Sequence, residues 1–195
     1  MSKKFKKILI ANRGEIALRI IRAARELDIE TVAVYSEADA NSLHVQLADE
    51  SYCIGPAKSA NSYLNIPSII STAILSRVDA IHPGYGFLAE NAAFADMCQS
   101  HEIKFIGPSS SNISSMGDKA TAKKLVKESS IPVTPGIDGL ITDSKQAIEA
   151  AKEIGYPLIV KATAGGGGRG MRTAKDEAEL ITSIDAAAQE ANNAF

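Results

Sequence analysis

Apolar positions along the chain switch repeatedly between two periods. Lys7–Ala11 is a short apolar run that predicts a buried strand. A turn at Asn12–Gly14 follows, and Glu15–Leu27 then places Ile16, Ile20, Ala23, Ala24 and Leu27 on one helical face. Glu15 falls in the first turn of that helix, where the backbone dipole favours an acid. Thr31–Tyr35 (TVAVY) reads as the next strand, which completes a β-α-β unit of the parallel, right-handed kind. The alternation continues with a strand at Glu50–Ile54, a helix at Ile66–Arg77 and a strand at Asp79–His82. A helix at Asn91–Ser100 and a strand at Lys104–Ile106, closed by Gly107–Pro108, follow. Strands alternating with helices predict an open parallel α/β sheet over residues 1–115.

Beyond it, Ser109–Ser130 has helical periodicity with a break near Gly117, and the prolines of Ile131–Pro135 (IPVTP) read as a hinge. Asp143–Ile154 predicts a helix closed by Gly155, a C-cap residue. Tyr156–Thr163 reads as a strand, Met171–Ala174 as the returning strand, and Asp176 as the cap of a helix over Glu177–Asn192. A second unit at residues 116–195 with so few elements is thin for an independent core. The expectation is of a domain cut off in mid-course at Phe195.

Composition acts mainly by exclusion. The 195 residues are 45% apolar and 23% charged, an ordinary globular balance. A net charge of −2 argues against a nucleic-acid binder, whose footprint is basic. The lysines of "MSKKFKKILIANRG" resemble a signal-peptide start, but only Ile8–Ala11 is apolar after them, against the roughly 7–15 residues a signal needs. No segment approaches the ~20 apolar residues of a membrane span. Cys53 and Cys98 form no paired motif and read as reduced, packed thiols of a cytoplasmic-type compartment.

The candidate chemistry lies in "YPLIVKATAGGGGRGMRTA", Tyr156–Ala174. Consecutive glycines are costly to order on folding, so something must repay that cost. Gly165 and Gly170 have the spacing of a Walker phosphate loop, but Met171 and Arg172 stand where Lys and Ser/Thr belong. Gly165, Gly167 and Gly170 match the dinucleotide fingerprint GxGxxG, with Asp185 about the expected distance on. That fingerprint opens a helix, whereas Met171–Ala174 reads as a strand. A third possibility is a glycine hairpin between antiparallel strands, whose bare amides gather round an anion and close over it. Lys161 would add a point charge suited to phosphate. A plain flexible linker is the remaining alternative, although such linkers are usually laced with Ser.

In order along the chain, "KILIANRGEIALRIIRAARELDIETVAVYSEAD", "HPGYGFLAEN", "FIGPSS", "MGDK" and "KATAGGGGRGMR" resemble the biotin carboxylase family of ATP-grasp ligases. The resemblance covers essentially the whole chain. It implies a pre-ATP-grasp α/β domain at 1–115 followed by the first part of an ATP-grasp domain at 116–195. It also implies ATP-dependent carboxylation of biotin by bicarbonate through carboxyphosphate, the first half-reaction of acetyl-CoA carboxylase in fatty-acid synthesis. ATP and Mg²⁺ are the implied cofactors, with biotin arriving on biotin carboxyl carrier protein. Carboxyltransferase subunits and a second copy of the chain are the implied partners, in the cytoplasm or the plastid stroma. Another biotin-dependent carboxylase, acting on pyruvate or an acyl-CoA, and a non-catalytic assembly module stay open. A dehydrogenase is more distant.

The resemblance assigns Lys119 of "MGDK" to the ATP phosphates, although spacing alone groups it with Lys123, Lys124 and Lys127 on a solvated helix face. Lys161 becomes the second phosphate-side lysine; the bland alternative is a lysine snorkelling to the surface. Gly165, Gly166, Gly167, Gly168 and Gly170 would form the phosphate cover. Arg169 reaches phosphate or stands in water, and Met171 lies on the adenine or simply packs. Tyr85, Gly86 and Glu90 fall on the biotin and bicarbonate side. Read from the residues alone, His82–Asn91 is instead a rigid turn, with Glu90 capping the helix from Asn91 and His82 a structural residue next to the buried strand positions Ala80 and Ile81. Asn12–Glu15 sit where a dinucleotide fold binds phosphate, yet one glycine makes no fingerprint. Arg19, Arg22, Arg25 and Glu26 read as a solvated face. No catalytic residue and no metal ligand is recognisable, and Glu177 and Glu179 read as first-turn helix acids. The missing groups are expected after Phe195, so this chain alone is expected to turn over little or nothing.

Overall fold

The first apolar run forms the centre of a five-stranded parallel sheet in the computed structural model. The structure describes residues 5–117, 119–134, 136, 141, 143–161 and 171–194, without the side chains of 119, 120, 124 and 187–194. The strands are β1 (Lys7–Ile10), β2 (Glu30–Ser36), β3 (Glu50–Gly55), β4 (Ala80–His82) and β5 (Lys104–Phe105), in the spatial order β3-β2-β1-β4-β5. The chain steps outward from β1 to β3 and then returns to the other side of β1 at β4. The order therefore reverses between β1 and β4, which is the place where open α/β sheets collect ligands beyond the strands' carboxyl ends.

Helices α1 (Gly14–Glu26), α2 (Leu43–Leu47), α3 (Ile66–Leu75), α4 (Ala92–Ser100) and α5 (Ser110–Gly117) complete this unit. One face of the sheet packs Ile8, Ile10 and Ala80 against Ala17, Ile20, Ile21 and Ala24 of α1. The other packs Leu9, Val32, Val34 and Ile81 against Ile69, Ile70 and Ala73 of α3 and Phe94, Ala95 and Cys98 of α4. With both faces covered, the central strands read as continuous apolar runs rather than alternating ones. Each fully buried Leu, Ile or Phe contributes on the order of 1.5–3 kcal/mol.

The boundaries follow the sequence expectation to within a residue or two, with three corrections. Ala23 and Leu27, expected on the buried face of α1, are exposed, and Ala17 and Ile21 are buried instead. Both stripes have helical spacing; contact with Ile8, Ile10 and Ala80 selects between them. Helix α2 was not foreseen, because five residues are too few to display a period. Cys98 is buried and packed as expected, whereas Cys53 lies exposed on the edge strand β3; both are free thiols. Arg19, Arg22, Arg25 and Glu26 do face solvent.

The chain divides into two compact units, Met1–Lys119 and Ala120–Phe195. Helix α6 (Lys119–Glu128) begins at that division, and α7 (Ser144–Ile154), β6 (Leu158–Lys161), β7 (Met171–Ala174) and α8 (Glu177–Ala194) follow. Asp143 caps α7 by accepting from the Gln146 N–H at 2.9 Å, and Gly155 ends it with φ +85°. Strands β6 and β7 pair antiparallel, and a small apolar cluster joins Ala147, Ala151, Ala174 and Leu180. Among the described residues no helix is long and apolar enough to cross a membrane.

Candidate functional site

In the first unit the site is built at the carboxyl ends of β1 and β4. The Ala11 N–H donates to the His82 carbonyl at 2.9 Å, so the two strands leave the sheet side by side. The turn His82–Asn91 then needs two left-handed residues in quick succession, supplied by Gly84 (φ +65°) and Gly86 (φ +67°). Phe87 also takes positive φ, +39°, which costs a bulky residue on the order of 1–3 kcal/mol. That strain is offset by stacking. The Phe87 ring lies parallel to Tyr63 at 5.0 Å, and the Arg13 guanidinium stands 5.2 Å from the Tyr63 centroid and 5.6 Å from that of Phe87.

Arg13 is fixed in turn by Asp39, whose Oδ2 lies 3.2 Å from Nη1. The same oxygen accepts from Ser36 Oγ at 2.7 Å and Tyr63 OH at 2.8 Å, while the Ser36 N–H donates to Tyr63 OH at 3.0 Å. Burial alone would raise the Asp39 carboxyl; the bonds from Ser36, Tyr63 and Arg13 outweigh it and hold the group below the ordinary carboxylate value. Burial, reinforced by Asp39, pushes the Tyr63 phenol up to about 12. It stays protonated and serves as a donor.

His82 is half-buried, and its Nδ1 accepts the Gly84 N–H at 3.0 Å. The ring is therefore neutral with its hydrogen on Nε2, and burial lowers its pKa. The expectation of a structural histidine in the turn fits this geometry. The cap of α4 is Asn91, whose side chain accepts the Phe94 N–H at 2.9 Å; Glu90, expected as that cap, is exposed and leaves the role to its neighbour. Tyr85, Gly86 and Glu90 all stand at the exposed rim of the turn, and the Tyr85 hydroxyl donates to the Glu15 carboxylate.

In the second unit Lys161 ends β6 and Met171 opens β7, directly opposite each other in the antiparallel register. Both are exposed, so Met171 is not packed as a core methionine. Because β7 is a strand returning beside β6, the GxGxxG pattern opens no helix, and the dinucleotide alternative is overturned. Gly165, Gly166, Gly167, Gly168, Arg169 and Gly170 lie outside the described residues, as does the side chain of Lys119. Lys123, grouped with a solvated face in the sequence, instead donates to the Gly136 carbonyl at 2.9 Å. Asp176 accepts the Glu179 N–H at 2.8 Å and Glu179 accepts the Lys175 N–H at 2.9 Å. The two bonds close the start of α8 and give Glu179 a structural task.

Sequence reasoning found no sign of Asp39, Tyr63 or Phe87 at this site, and it offered Asn12 and Arg13 only as a phosphate-type turn without a fingerprint. Asn12 left the one usable signal, a polar residue that ends the central apolar run without a fingerprint to join.

Residues 4–113 match the family described as biotin carboxylase, N-terminal domain. Residues 118–195 match the carbamoyl-phosphate synthase L chain, ATP binding domain. Biotin carboxylase 1 of Bacillus subtilis (strain 168) is 59% identical over 190 residues, which is 97% of this chain and 42% of that protein. Among solved structures, a biotin carboxylase–βγ-ATP complex from Campylobacter jejuni superposes with a TM-score of 0.86 at 51% identity, over 98% of this chain and 43% of that one. The biotin carboxylase domain dimer of Hydrogenobacter thermophilus 2-oxoglutarate carboxylase, in complex with MgADP, ADP and bicarbonate, superposes with a TM-score of 0.84 at 50% identity, over 99% of this chain and 42% of that one. The chain thus spans less than half the length of the relatives it matches.

Proposed function

Since this chain belongs to the biotin carboxylase family, we propose that it supplies the first domain, and the opening part of the nucleotide-binding domain, of an enzyme that carboxylates biotin with bicarbonate and ATP. A bicarbonate oxygen attacks the γ-phosphorus of ATP and ADP departs; the carboxyl group of the resulting carboxyphosphate then passes to a ureido nitrogen of biotin, with inorganic phosphate as the leaving group and loss of the ureido proton. Phosphoryl transfer asks the protein for alignment and for charge opposite the phosphate oxygens. Lys161 and Lys119 provide two ammonium groups, and the amides of Gly165–Gly168 and Gly170 a cover free of Cβ atoms, with Arg169 beside them. Met171 lies against the adenine. Tyr85, Gly86 and Glu90 face biotin and bicarbonate.

The observation that carries the proposal is the presentation of His82–Asn91 at the β1–β4 switch point. A Cβ built on Gly86 meets nothing within 4 Å, so a ligand has open access to that backbone. The register of Lys161 with Met171 supports the other half, because it holds both ends of the glycine segment together. Among the described residues no group of three or more His, Cys, Asp or Glu could hold a metal ion. Mg²⁺ bound with the nucleotide would neutralise phosphate charge, and no residue of this chain is assigned to it. The partners are biotin carboxyl carrier protein, carboxyltransferase subunits and a second copy of the chain, in the cytoplasm or the plastid stroma.

The test is biotin- and bicarbonate-dependent phosphate release from ATP by the whole enzyme that carries this segment. Lys161→Ala is expected to slow it about 100-fold or more, and Gly86→Ala to raise the biotin KM. A Lys161→Ala enzyme with unchanged turnover would overturn the phosphate assignment. The 195-residue chain assayed alone is expected to show little or no biotin-dependent rate.

A further inference from the structure

The turn between β1 and α1 stands where a dinucleotide fold cradles phosphate, but here it touches protein. Asn12, only 4% exposed, donates from Nδ2 to the Pro83 carbonyl at 2.7 Å and to the Tyr85 carbonyl at 2.8 Å. Its Oδ1 accepts the Arg13 N–H at 2.9 Å, so both amide hydrogens are used and the oxygen is engaged as well. Its neighbours grip the same turn. Arg13 lies over Phe87, and Glu15 accepts from Tyr85. The fit leaves no slack, since a Cβ on Gly84 would come within 2.9 Å of Asn12 Nδ2 and 3.1 Å of Ile16 Cγ1.

We infer that Asn12 is a positioning residue for the biotin- and bicarbonate-side turn, setting the height and tilt of Tyr85 and Gly86 through two backbone carbonyls. The inference rests on the proposed assignment of that turn. The chemistry demands an amide. One carbonyl on each side of Nδ2 needs a donor, and the Arg13 N–H needs an acceptor. Aspartate, of the same shape, would offer both carbonyls only a lone pair. Serine could satisfy one of them. Without this clamp Gly84, Gly86 and Phe87, all at positive φ, have less to hold them in left-handed conformations.

Asn12→Asp and Asn12→Ser are compared by amide hydrogen exchange and by steady-state kinetics, both in the whole enzyme that carries this chain. Exchange at Gly84 and Ala89, whose N–H groups are bonded inside the turn to His82 Nδ1 and the Gly86 carbonyl, is expected to rise about tenfold or more in Asn12→Asp. Amides of Leu9 and Val32 should change much less. The biotin KM is expected to rise about tenfold with the ATP KM within about twofold, and Asn12→Ser to fall between parent and Asn12→Asp. If Asn12→Asp does not fold, Asn12→Ser carries the same test with a smaller shift. Unchanged exchange at Gly84 and Ala89 overturns the inference. So does a biotin KM untouched by either Asn12 variant when Gly86→Ala raises it. If Gly86→Ala itself leaves the biotin KM unchanged while exchange rises, the assignment of the turn to biotin is what fails, and the functional half of the inference fails with it.

Discussion

In the first unit the candidate turn is held from below by Asn12, from the side by the Arg13–Phe87–Tyr63 stack and from behind by a sheet covered on both faces. In the second, Lys161 and Met171 stand at the exposed end of a two-stranded pair, where the glycine segment joins the strands, above a four-residue buried cluster. The strand patterns carry the same contrast. Strand β1 is buried at Ile8, Leu9 and Ile10, whereas β6 alternates half-buried and exposed positions. A substrate whose reacting atom must be placed within fractions of an ångström benefits from an over-determined turn. A triphosphate recognised through charge and backbone amides tolerates a less buried platform, because ammonium–phosphate attraction is long-ranged and weakly directional.

Several substitutions would break or sharpen that contrast. The largest effect expected on function is one on chemistry without stability. Lys161→Ala in the whole enzyme should lower biotin-dependent turnover by about 100-fold, while thermal unfolding of this chain barely moves because Lys161 is exposed. A comparable loss of stability would mean that the hairpin depends on the lysine.

Next come the cores. Phe94→Ala removes a fully buried ring that meets Phe105 edge-on at 5.9 Å, and should cost about 3–5 kcal/mol. Leu180→Ala, in the smaller cluster, should cost about 2–3 kcal/mol. Urea unfolding followed by segment-resolved hydrogen exchange should show the first confined to residues of Met1–Lys119 and the second to Ala120–Phe195. A single shared transition would erase the distinction between the units.

Smaller again is Tyr63→Phe. It deprives the Asp39 carboxylate of a donor and the Ser36 N–H of its acceptor while keeping the ring stack. A loss of about 1–3 kcal/mol is expected, read as a lower urea midpoint for the first unit.

The smallest effect is the response to pH. Burial lowers the pKa of His44 and His82 from the ordinary value of 6.5, so the unfolded chain takes up these protons more readily. Their contribution is intact above about pH 6.5 and lost as the pH falls below it, so the melting temperature should drop on mild acidification. Replacing His44, which is 1% exposed, with Gln should flatten that slope. Below pH 3.8 the depressed carboxyl of Asp39 adds a second loss in the same direction, as its protonation loosens the Arg13 anchor. A melting temperature flat from pH 8 to 5 would show that neither histidine responds.

Much of this was legible along the chain. The β-α-β alternation gave the parallel sheet, since a strand buried on both faces must be apolar throughout and its crossover helix must be amphipathic. The glycine segment was expected between two antiparallel strands, and β6 and β7 pair that way. The site was legible only in part. Gly84 and Gly86 announced a tight turn, but nothing in the order of residues brought Asp39, Tyr63 and Phe87 to Arg13. These residues come from four separate segments, and a local pattern reports only neighbours within one element.

The choice among helical stripes on α1 had the same limit. Ala23 and Leu27 were as good as Ala17 and Ile21 by period, and only the sheet's own side chains separated them. Sequence by itself determined which segments become strands and helices, because periodicity and turn chemistry act over a few residues. Tertiary structure alone decided that Asn12, at the end of the first strand, would meet Pro83 and Tyr85. That contact exists because β4 returns beside β1, and no interaction within either segment requires it.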